Sequence, residues 1–133
     1  MKIFLDACLL IYLNTVVDEE ESNKLYEFYA NLLKEELCVD MLVLDETIYI
    51  SKKKYGLSYS DTLNFLEDNV MPFVEVIPLE RKDFKLMKKY LKDYKIKPSD
   101  ALHLAAMDKV GCNTIASEDE EFDKTHIKRI WLI

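Results

Sequence analysis

The chain has 133 residues, half of them hydrophobic, and its 25 acidic residues outnumber 18 basic ones to give a net charge of −7. This length fits one domain with its own core, and the presence of only 2 Gly and 3 Pro excludes collagen-like, linker-rich and disordered chains. The excess of acid argues against a basic DNA coat protein or a basic membrane binder, but it is compatible with a nucleic-acid enzyme that works through metal ions.

The first third of the chain predicts a strand, two helices and a second, very short strand. Residues 3–5 form a β-type run that ends in an acid, and the apolar stretch 7–13 predicts a short helix. Leucine and aromatic residues then recur at helical spacing up to about position 37, behind four acids at 18–21. Residues 38–39 predict the second strand.

The middle of the chain predicts two helices and a strand. The first helix is expected from about 41 to 55 and ends at a glycine that can cap it. Ser58 or Ser60 caps the next helix, which runs to about position 70 and is broken by the following proline. Residues 73–77 are rich in β-branched side chains and predict a strand.

The last third predicts two helices and two strands. In the first helix, apolar and basic side chains fall on separate faces. The apolar face consists of Phe84, Met87, Leu91 and Tyr94. Pro98-Ser99 opens the second helix, which runs from about 100 to 110 and ends before a glycine. Residues 114–116 and 127–133 predict the two strands.

This order of elements predicts the fold class. Strands that alternate with helices, without repeats or a linker, predict one α/β domain over residues 1–133. The short strands of buried type favour a mostly parallel sheet with helices on both faces.

Two features predict a cytoplasmic protein without a membrane segment. Asp6 interrupts the apolar N-terminus, and the longest uncharged stretch, 7–17, has 11 residues, far fewer than the ~20 that a membrane helix needs. The three cysteines form no CxxC pair and are odd in number, which indicates reduced thiols rather than a disulfide framework.

Four acidic residues from distant segments are expected to meet at one edge of this sheet. Asp6 and Asp119 follow predicted strands, Asp100 opens a helix, and Glu46 lies early in another helix. Because ligands of open parallel sheets bind outside the carboxyl ends of the strands, these carboxylates are the candidate site.

Such a cluster needs a counter-ion. Two like charges ~5 Å apart repel by roughly 3 kcal/mol at an effective dielectric constant of about 20. Hard cations such as Mg²⁺ or Mn²⁺ relieve this repulsion and prefer oxygen ligands. A metal held by carboxylates activates water and stabilises charge on a phosphoryl group, so the predicted chemistry is metal-assisted phosphodiester hydrolysis.

Four stretches of the sequence resemble the acidic motifs of PIN-domain nucleases, in particular the VapC toxins of VapBC-type toxin–antitoxin pairs. They are IFLD at 3–6, LDETI at 44–48, PSDALHLAA at 98–106 and IASEDEEF at 115–122. Their order and spacing fit the family over essentially the whole chain, and the third is the most specific.

The resemblance implies a role for each matched acid. Asp6 and Asp100 would be the most direct ligands of Mg²⁺ (or Mn²⁺). Asp119 would hold the metal through water or help to bind a second ion. Glu46 would orient the attacking water.

The resemblance also implies supporting residues and shows two departures. Ser117 would hydrogen-bond around Asp119, and Asp123 would be an outer carboxylate. Cys8 stands where the family often has Asn or Ser near the metal site, and Glu118 stands where it often has Asn.

Other polar residues allow both a structural and a functional interpretation. His103, one turn beyond Asp100, is expected to be a half-buried structural histidine, with a proton shuttle as the alternative. The segment 85–97 carries six Lys and one Asp, a local charge of +5 that leaves −12 for the rest. Solvated helix faces or patches that bind the RNA backbone both explain the basic clusters. The clusters are Lys52, Lys53 and Lys54, and Lys85, Lys88 and Lys92.

These residues together predict a Mg²⁺- or Mn²⁺-dependent endoribonuclease that is the toxin of a type II toxin–antitoxin pair. Its expected partners are RNA, a small antitoxin protein and a second copy of the chain. A PIN-like RNA-processing nuclease outside such a pair and a non-cleaving PIN-like binding module are the alternatives. A phosphoacceptor signalling domain would also gather acids at strand ends, but the strand 73–77 is followed by Pro78 rather than by an acid.

Overall fold

A five-stranded, fully parallel sheet with the strand order β3-β2-β1-β4-β5 organises the chain, as a computed structural model of residues 1–132 shows. The strands are β1 Lys2–Leu5, β2 Glu36–Asp40, β3 Val74–Ile77, β4 Thr114–Ala116 and β5 Lys128–Ile130. The α-helices are α1 Ala7–Thr15, α2 Glu19–Leu32, α3 Met41–Tyr55, α4 Tyr59–Asn69, α5 Asp83–Tyr94 and α6 Pro98–Lys109. Two short 3₁₀ helices cover Met71–Phe73 and Glu120–Lys124. The predicted single α/β architecture is confirmed.

The central strand β1 lies between β2 and β4. Phe4 pairs with Cys38 on one side and with Ile115 on the other. Successive side chains of a strand point to opposite faces of the sheet, yet Phe4 and Leu5 are both fully buried. Helices therefore cover both faces at the centre, as a parallel sheet requires.

Local signals set most helix ends. Ser58 rather than Ser60 caps α4, because its hydroxyl accepts a hydrogen bond from the Asp61 N–H at 3.0 Å. Gly56 closes α3 with a φ of 73°, in the left-handed region that glycine adopts without strain. In the part of the chain that the structure covers, no helix is both long and apolar enough to cross a membrane.

The predicted end of the second helix is wrong. The leucine spacing predicts a helix up to about residue 37, but α2 ends at Leu32 and Glu36–Asp40 forms strand β2. Leu37 lies opposite Ile3 of β1 and Val74 of β3. Ladder hydrogen bonds and burial between two strands outweigh the local helical spacing of the leucines.

Two predictions near the C-terminal half also need correction. The sequence pattern places Phe84 on the apolar face of α5, yet this ring is 62% exposed, and the buried residues of this helix are Asp83 and Tyr90. Lys109 of α6 donates to the Asp83 carboxylate at 2.7 Å, which keeps that acid inside. The last strand covers Lys128–Ile130 rather than 127–133, and residue 133 lies outside the described residues.

Candidate active site at the carboxyl edge of the sheet

Asp6 lies at the centre of the candidate site, directly after β1. Its Oδ1 accepts a hydrogen bond from the Ala7 N–H at 2.9 Å and so caps α1. Its Oδ2 accepts one from the Ser117 hydroxyl at 2.6 Å. With only 7% of its surface exposed, this carboxylate is held in one orientation at the strand edge.

Ser117 connects Asp6 to the loop that carries the fourth acid. Its hydroxyl also accepts a hydrogen bond from the Asp119 N–H at 3.0 Å, and the Asp119 Oδ1 in turn accepts from the Glu121 N–H at 3.0 Å. Ser117 is fully buried after β4. The neighbouring acid Glu118 is turned away and accepts a hydrogen bond from the Tyr12 hydroxyl at 2.7 Å. Asp119 is therefore linked to the Asp6 carboxylate through one shared group, the Ser117 hydroxyl.

Removing the Ser117 hydroxyl should destabilise this network. In Ser117→Ala, the buried Asp6 loses a hydroxyl donor and the Asp119 N–H loses its acceptor. We expect the free energy of unfolding to fall by about 1–3 kcal/mol. Urea unfolding in EDTA measures this change, with the exposed Ser60→Ala as a control that should leave stability within about 0.5 kcal/mol. Equal effects of the two substitutions would contradict the proposed link.

Cys8 occupies the space next to this network. Its Sγ lies 3.9 Å from Asp6 Oδ2 and 3.7 Å from the Ser117 hydroxyl, and it accepts a hydrogen bond from the Glu118 N–H at 3.4 Å. Burial and the negative charge of Asp6 raise the pKa of this thiol to about 12. Cys8 is therefore a neutral thiol that fills the position and adds no charge.

Asp100 adds a second buried acid from the first turn of α6, with 8% of its surface exposed. Burial raises its pKa to about 6, and the negative charges of Asp6 and Asp119 add to this rise. The positive charges of His103 and Lys97 offset part of it. Asp100 thus lies in the electrostatic field of both other strand-edge acids.

Glu46 approaches from α3 at the exposed rim. Its pKa is raised because the surrounding protein removes water from the carboxylate and because Asp6 is negative. His103 and Lys97 act in the opposite direction here too. The same two cations and the same acid, Asp6, therefore influence both Glu46 and Asp100.

The four predicted acids are thus linked by electrostatic interactions, in which Asp6 acts on Glu46 and both Asp6 and Asp119 act on Asp100. They do not form a preformed metal-binding site. Within residues 1–132, no three His, Cys, Asp or Glu side chains are arranged to hold a metal ion between them. The donor chemistry nevertheless fits a hard divalent cation, since every candidate ligand is a carboxylate. The pKa values of Asp100 and Glu46 are raised first by burial and then by the negative charge of Asp6, and such a cation would compensate that negative charge.

Sequence reasoning missed two residues of this site and misjudged a third. Asp40 ends β2 and hydrogen-bonds to His103, which is fully buried rather than half-buried. The sequence signal that identifies Asp6, an acid directly after a predicted strand, could also have identified Asp40. Lys97 is the exposed N-cap residue of α6, and the sequence shows it only as part of a basic segment.

Unlike Ser117, the second predicted supporting residue, Asp123, pairs with a basic side chain. Asp123 forms a bidentate pair with Arg129 at 3.0 and 3.2 Å, and Arg129 also donates to the Ser117 carbonyl at 3.2 Å. Lys52 lies 4.3 Å from the centre of the Tyr59 ring, at the C-terminal end of α3. The other predicted basic residues are all exposed, on α3 or α5: Lys53, Lys54, Lys85, Lys88 and Lys92.

Comparison with known proteins agrees with the observed fold. A chain of the VapBC2 complex from Rickettsia felis, bound to a DNA fragment from its promoter, superposes with a TM-score of 0.73 at 16% identity over 100% of both chains. VapC20 of Mycobacterium tuberculosis, a sarcin–ricin loop cleaving toxin, gives 0.72 at 17% identity over 91% of this chain and 92% of that one. A chain of DNA-bound VapBC from Salmonella typhimurium gives 0.72 at 15% identity over 98% of both chains. A search of curated protein sequences found no significant match. The PIN domain family model matches residues 3–128, so the chain belongs to the PIN domain family.

Proposed function

We propose that the protein is a divalent-metal-dependent endoribonuclease, acting in the cytoplasm as the toxin of a type II toxin–antitoxin pair. The observation that carries this proposal is the convergence of four carboxylates at the strand edge of a PIN domain, with the pKa of Asp100 raised to about 6. Burial contributes most to this rise, and a bound cation would relieve the part that comes from repulsion by Asp6 and Asp119. The resemblance of the fold to a sarcin–ricin loop cleaving toxin supports RNA as the substrate.

The residues divide into metal holders and a proton acceptor. Asp6 and Asp100 would hold a Mg²⁺ or Mn²⁺ ion, with Asp119 contacting it through water or helping with a second ion. When bound, the ion would activate water and stabilise charge on the phosphoryl group. Glu46 is the exposed acid with a raised pKa, so it is suited to accept a proton from the attacking water. Lys97 would neutralise a substrate phosphate at the rim.

Cleavage of a mixed single-stranded RNA pool tests this proposal. The wild-type protein should cut in Mg²⁺ or Mn²⁺ and lose activity in EDTA. Asp6→Asn should cut at least about 100-fold more slowly, because a fixed charge at the reacting centre is lost. Asp68→Asn, an exposed acid on α4, is the matched control and should retain full activity. Cleavage that persists in EDTA, or in Asp6→Asn, would refute the assignment, and a folded protein that never cuts would favour a binding module.

The lysines of α5 offer a surface for the RNA backbone. Replacing Lys85, Lys88 and Lys92 with Gln should weaken RNA binding by several-fold to about tenfold and reduce its salt dependence, because fewer counterions are released. Fluorescence anisotropy with labelled RNA in the Asp6→Asn background measures binding without cleavage. The control changes the same total charge elsewhere on the surface, with Gln at Lys24, Lys34 and Lys128. Equal weakening in both triple variants would show that only net charge matters.

Two apolar surfaces are suited to bind protein partners. A cleft beside α1 and α2 is lined by Val16, Val17, Leu25 and Trp131, and Val17 is 96% exposed. It suits an apolar segment of a small antitoxin. Exposed apolar residues of α3 and α4 would contribute to a homodimer: Tyr49, Tyr55, Tyr59 and Leu63. The VapBC complexes among the structural neighbours support an antitoxin partner.

A further inference from the structure

A cleft lined by both apolar and basic side chains lies at the start of α5. Its volume is about 990 Å³. The ring of Phe84 lines it and is 62% exposed, so a ligand can reach this ring without any rearrangement of the fold. Six of the lining residues divide equally between apolar and basic side chains: Phe84, Met87, Leu102, Arg81, Lys82 and Lys85.

Positive charge prevails in this cleft. Its acid, Glu80, is already paired, because Oε2 lies 3.4 Å from Lys82 Nζ and 3.3 Å from Lys109 Nζ. Arg81 and Lys85 are both exposed. Within residues 1–132, neither of them forms an ion pair. An anionic ligand with an aromatic or apolar part therefore matches the cleft.

A row of exposed lysines leads from the cleft along α5. Its members are three or four residues apart and so lie on one side of the helix: Lys85, Lys88 and Lys92. Lys88 also follows Phe84 by four residues, which makes the ring and this lysine neighbours on the helix surface.

This row points toward the candidate active site. Only residues 95–97 separate α5 from α6, and Asp100 lies in the first turn of α6. At 1.5 Å per residue, the helix from Phe84 to its end at Tyr94 spans about 15 Å. About five stacked nucleotides, at roughly 3.4 Å each, cover this length. One single strand could therefore reach from the cleft to the carboxylates.

We propose that the cleft is a base-binding subsite for single-stranded RNA, in which Phe84 stacks on one base while Arg81 and Lys85 contact the adjoining phosphates. The inference rests on the proposed function, because RNA is the ligand, and extends it to a part of the substrate far from the reacting phosphate. Aromatic rings beside a basic track are how proteins bind single strands, since every base has a π-face. The subsite would thus favour substrates long enough to reach it.

An acidic amphipathic segment of another protein would also suit basic and apolar lining residues. The lysines beyond the cleft favour RNA, because they continue the positive charge toward the carboxylate site, where a segment confined to the cleft would not need it. A second copy of the chain is the other occupant to test. Both alternatives predict that the loss of the Phe84 ring leaves RNA affinity unchanged or changes the assembly of the protein.

Fluorescence anisotropy in EDTA, with labelled single-stranded RNA of about 12 nucleotides and Asp6→Asn as the parent protein, measures binding without cleavage. Adding Phe84→Ala should weaken binding at least about fivefold, the effect of losing one stacked base, and Phe84→Trp should preserve it. The dependence of affinity on salt should stay the same, because no phosphate contact is lost. Phe73→Ala is the matched control, since that ring is 52% exposed in a cleft that contains Glu35, Glu36 and Glu75. It should leave RNA binding unchanged.

Equal affinity of the parent and the Phe84→Ala protein would overturn the proposal. Sedimentation of both proteins gives a second check, and a smaller assembly in Phe84→Ala would overturn it by showing that a second copy occupies the cleft. Cleavage by the wild-type protein in Mn²⁺ is scored separately. If RNA binds through Phe84 but is never cut, the nuclease function fails and the subsite stands. If RNA is cut and Phe84→Ala leaves KM unchanged, the subsite fails and the nuclease function stands.

Discussion

Asp100→Asn is expected to abolish RNA cleavage while making the metal-free protein more stable. The substitution removes a charge that we assign to the metal, so cleavage should fall by about 1,000-fold or more. It also removes a carboxylate that is 8% exposed and repelled by Asp6 and Asp119. Function and stability should therefore change in opposite directions at this one position.

The expected gain in stability follows from the pKa of Asp100, which rises from 3.8 to about 6 on folding. A carboxyl with a raised pKa stabilises the folded state only while it is protonated, so stability is lost as the pH rises through the interval from 3.8 to about 6. At pH 8 this cost is at most about 3 kcal/mol in wild type, and the Asp100→Asn variant does not incur it. In EDTA, the difference in stability between the variant and wild type should thus grow between about pH 4 and about pH 7 and then level off.

Urea unfolding in EDTA across this pH range tests the expected gain in stability of Asp100→Asn. RNA cleavage in Mn²⁺, measured in parallel, tests the expected loss of activity. Asp93→Asn is the matched control, since Asp93 is exposed on α5 and its loss should change neither property. A variant that is destabilised at pH 8 would show that Asp100 is a favourable structural acid. A variant that still cuts RNA would remove Asp100 from the metal site.

The elements that are predicted correctly depend on local features of the chain. Asp6 comes directly after β1 and Asp119 lies in the loop after β4, and parallel strands bring their carboxyl ends to one edge whatever the details of packing. Single residues likewise indicate helix ends: Gly56 marks the end of α3, and the sequence restricts the cap of α4 to Ser58 or Ser60, of which Ser58 is the cap. Local chemistry was therefore enough for the sheet and for most helices.

What the sequence missed depends on contacts between distant residues. Asp40 and His103 are 63 positions apart, and only the folded chain shows that their side chains meet. The early end of α2 depends on the pairing of Leu37 with two strands. The exposure of Phe84 depends on which face of α5 packs against α6. Periodicity shows that a face is apolar, but it does not show whether another element covers it.

The contrast between two phenylalanines gives the second large expected effect. Phe122 lies in the 3₁₀ helix directly after Asp119 and is 1% exposed, whereas Phe84 is 62% exposed. Phe122→Ala should lower the free energy of unfolding by about 3–5 kcal/mol, because it leaves a cavity in the core. Phe84→Ala, with the same change of side chain, should cost less than about 0.5 kcal/mol.

Urea unfolding at several protein concentrations shows whether each ring is buried within one chain or against a second copy. The loss in Phe122→Ala should be independent of concentration, since this ring is buried within one chain. It should also reduce RNA cleavage at temperatures where the variant is still folded, because Phe122 anchors the loop that positions Asp119. A cost of several kcal/mol for Phe84→Ala that grows with protein concentration would mean that a second copy covers α5. In that case, α5 would form the dimer interface, and its lysines would be unavailable to the RNA backbone.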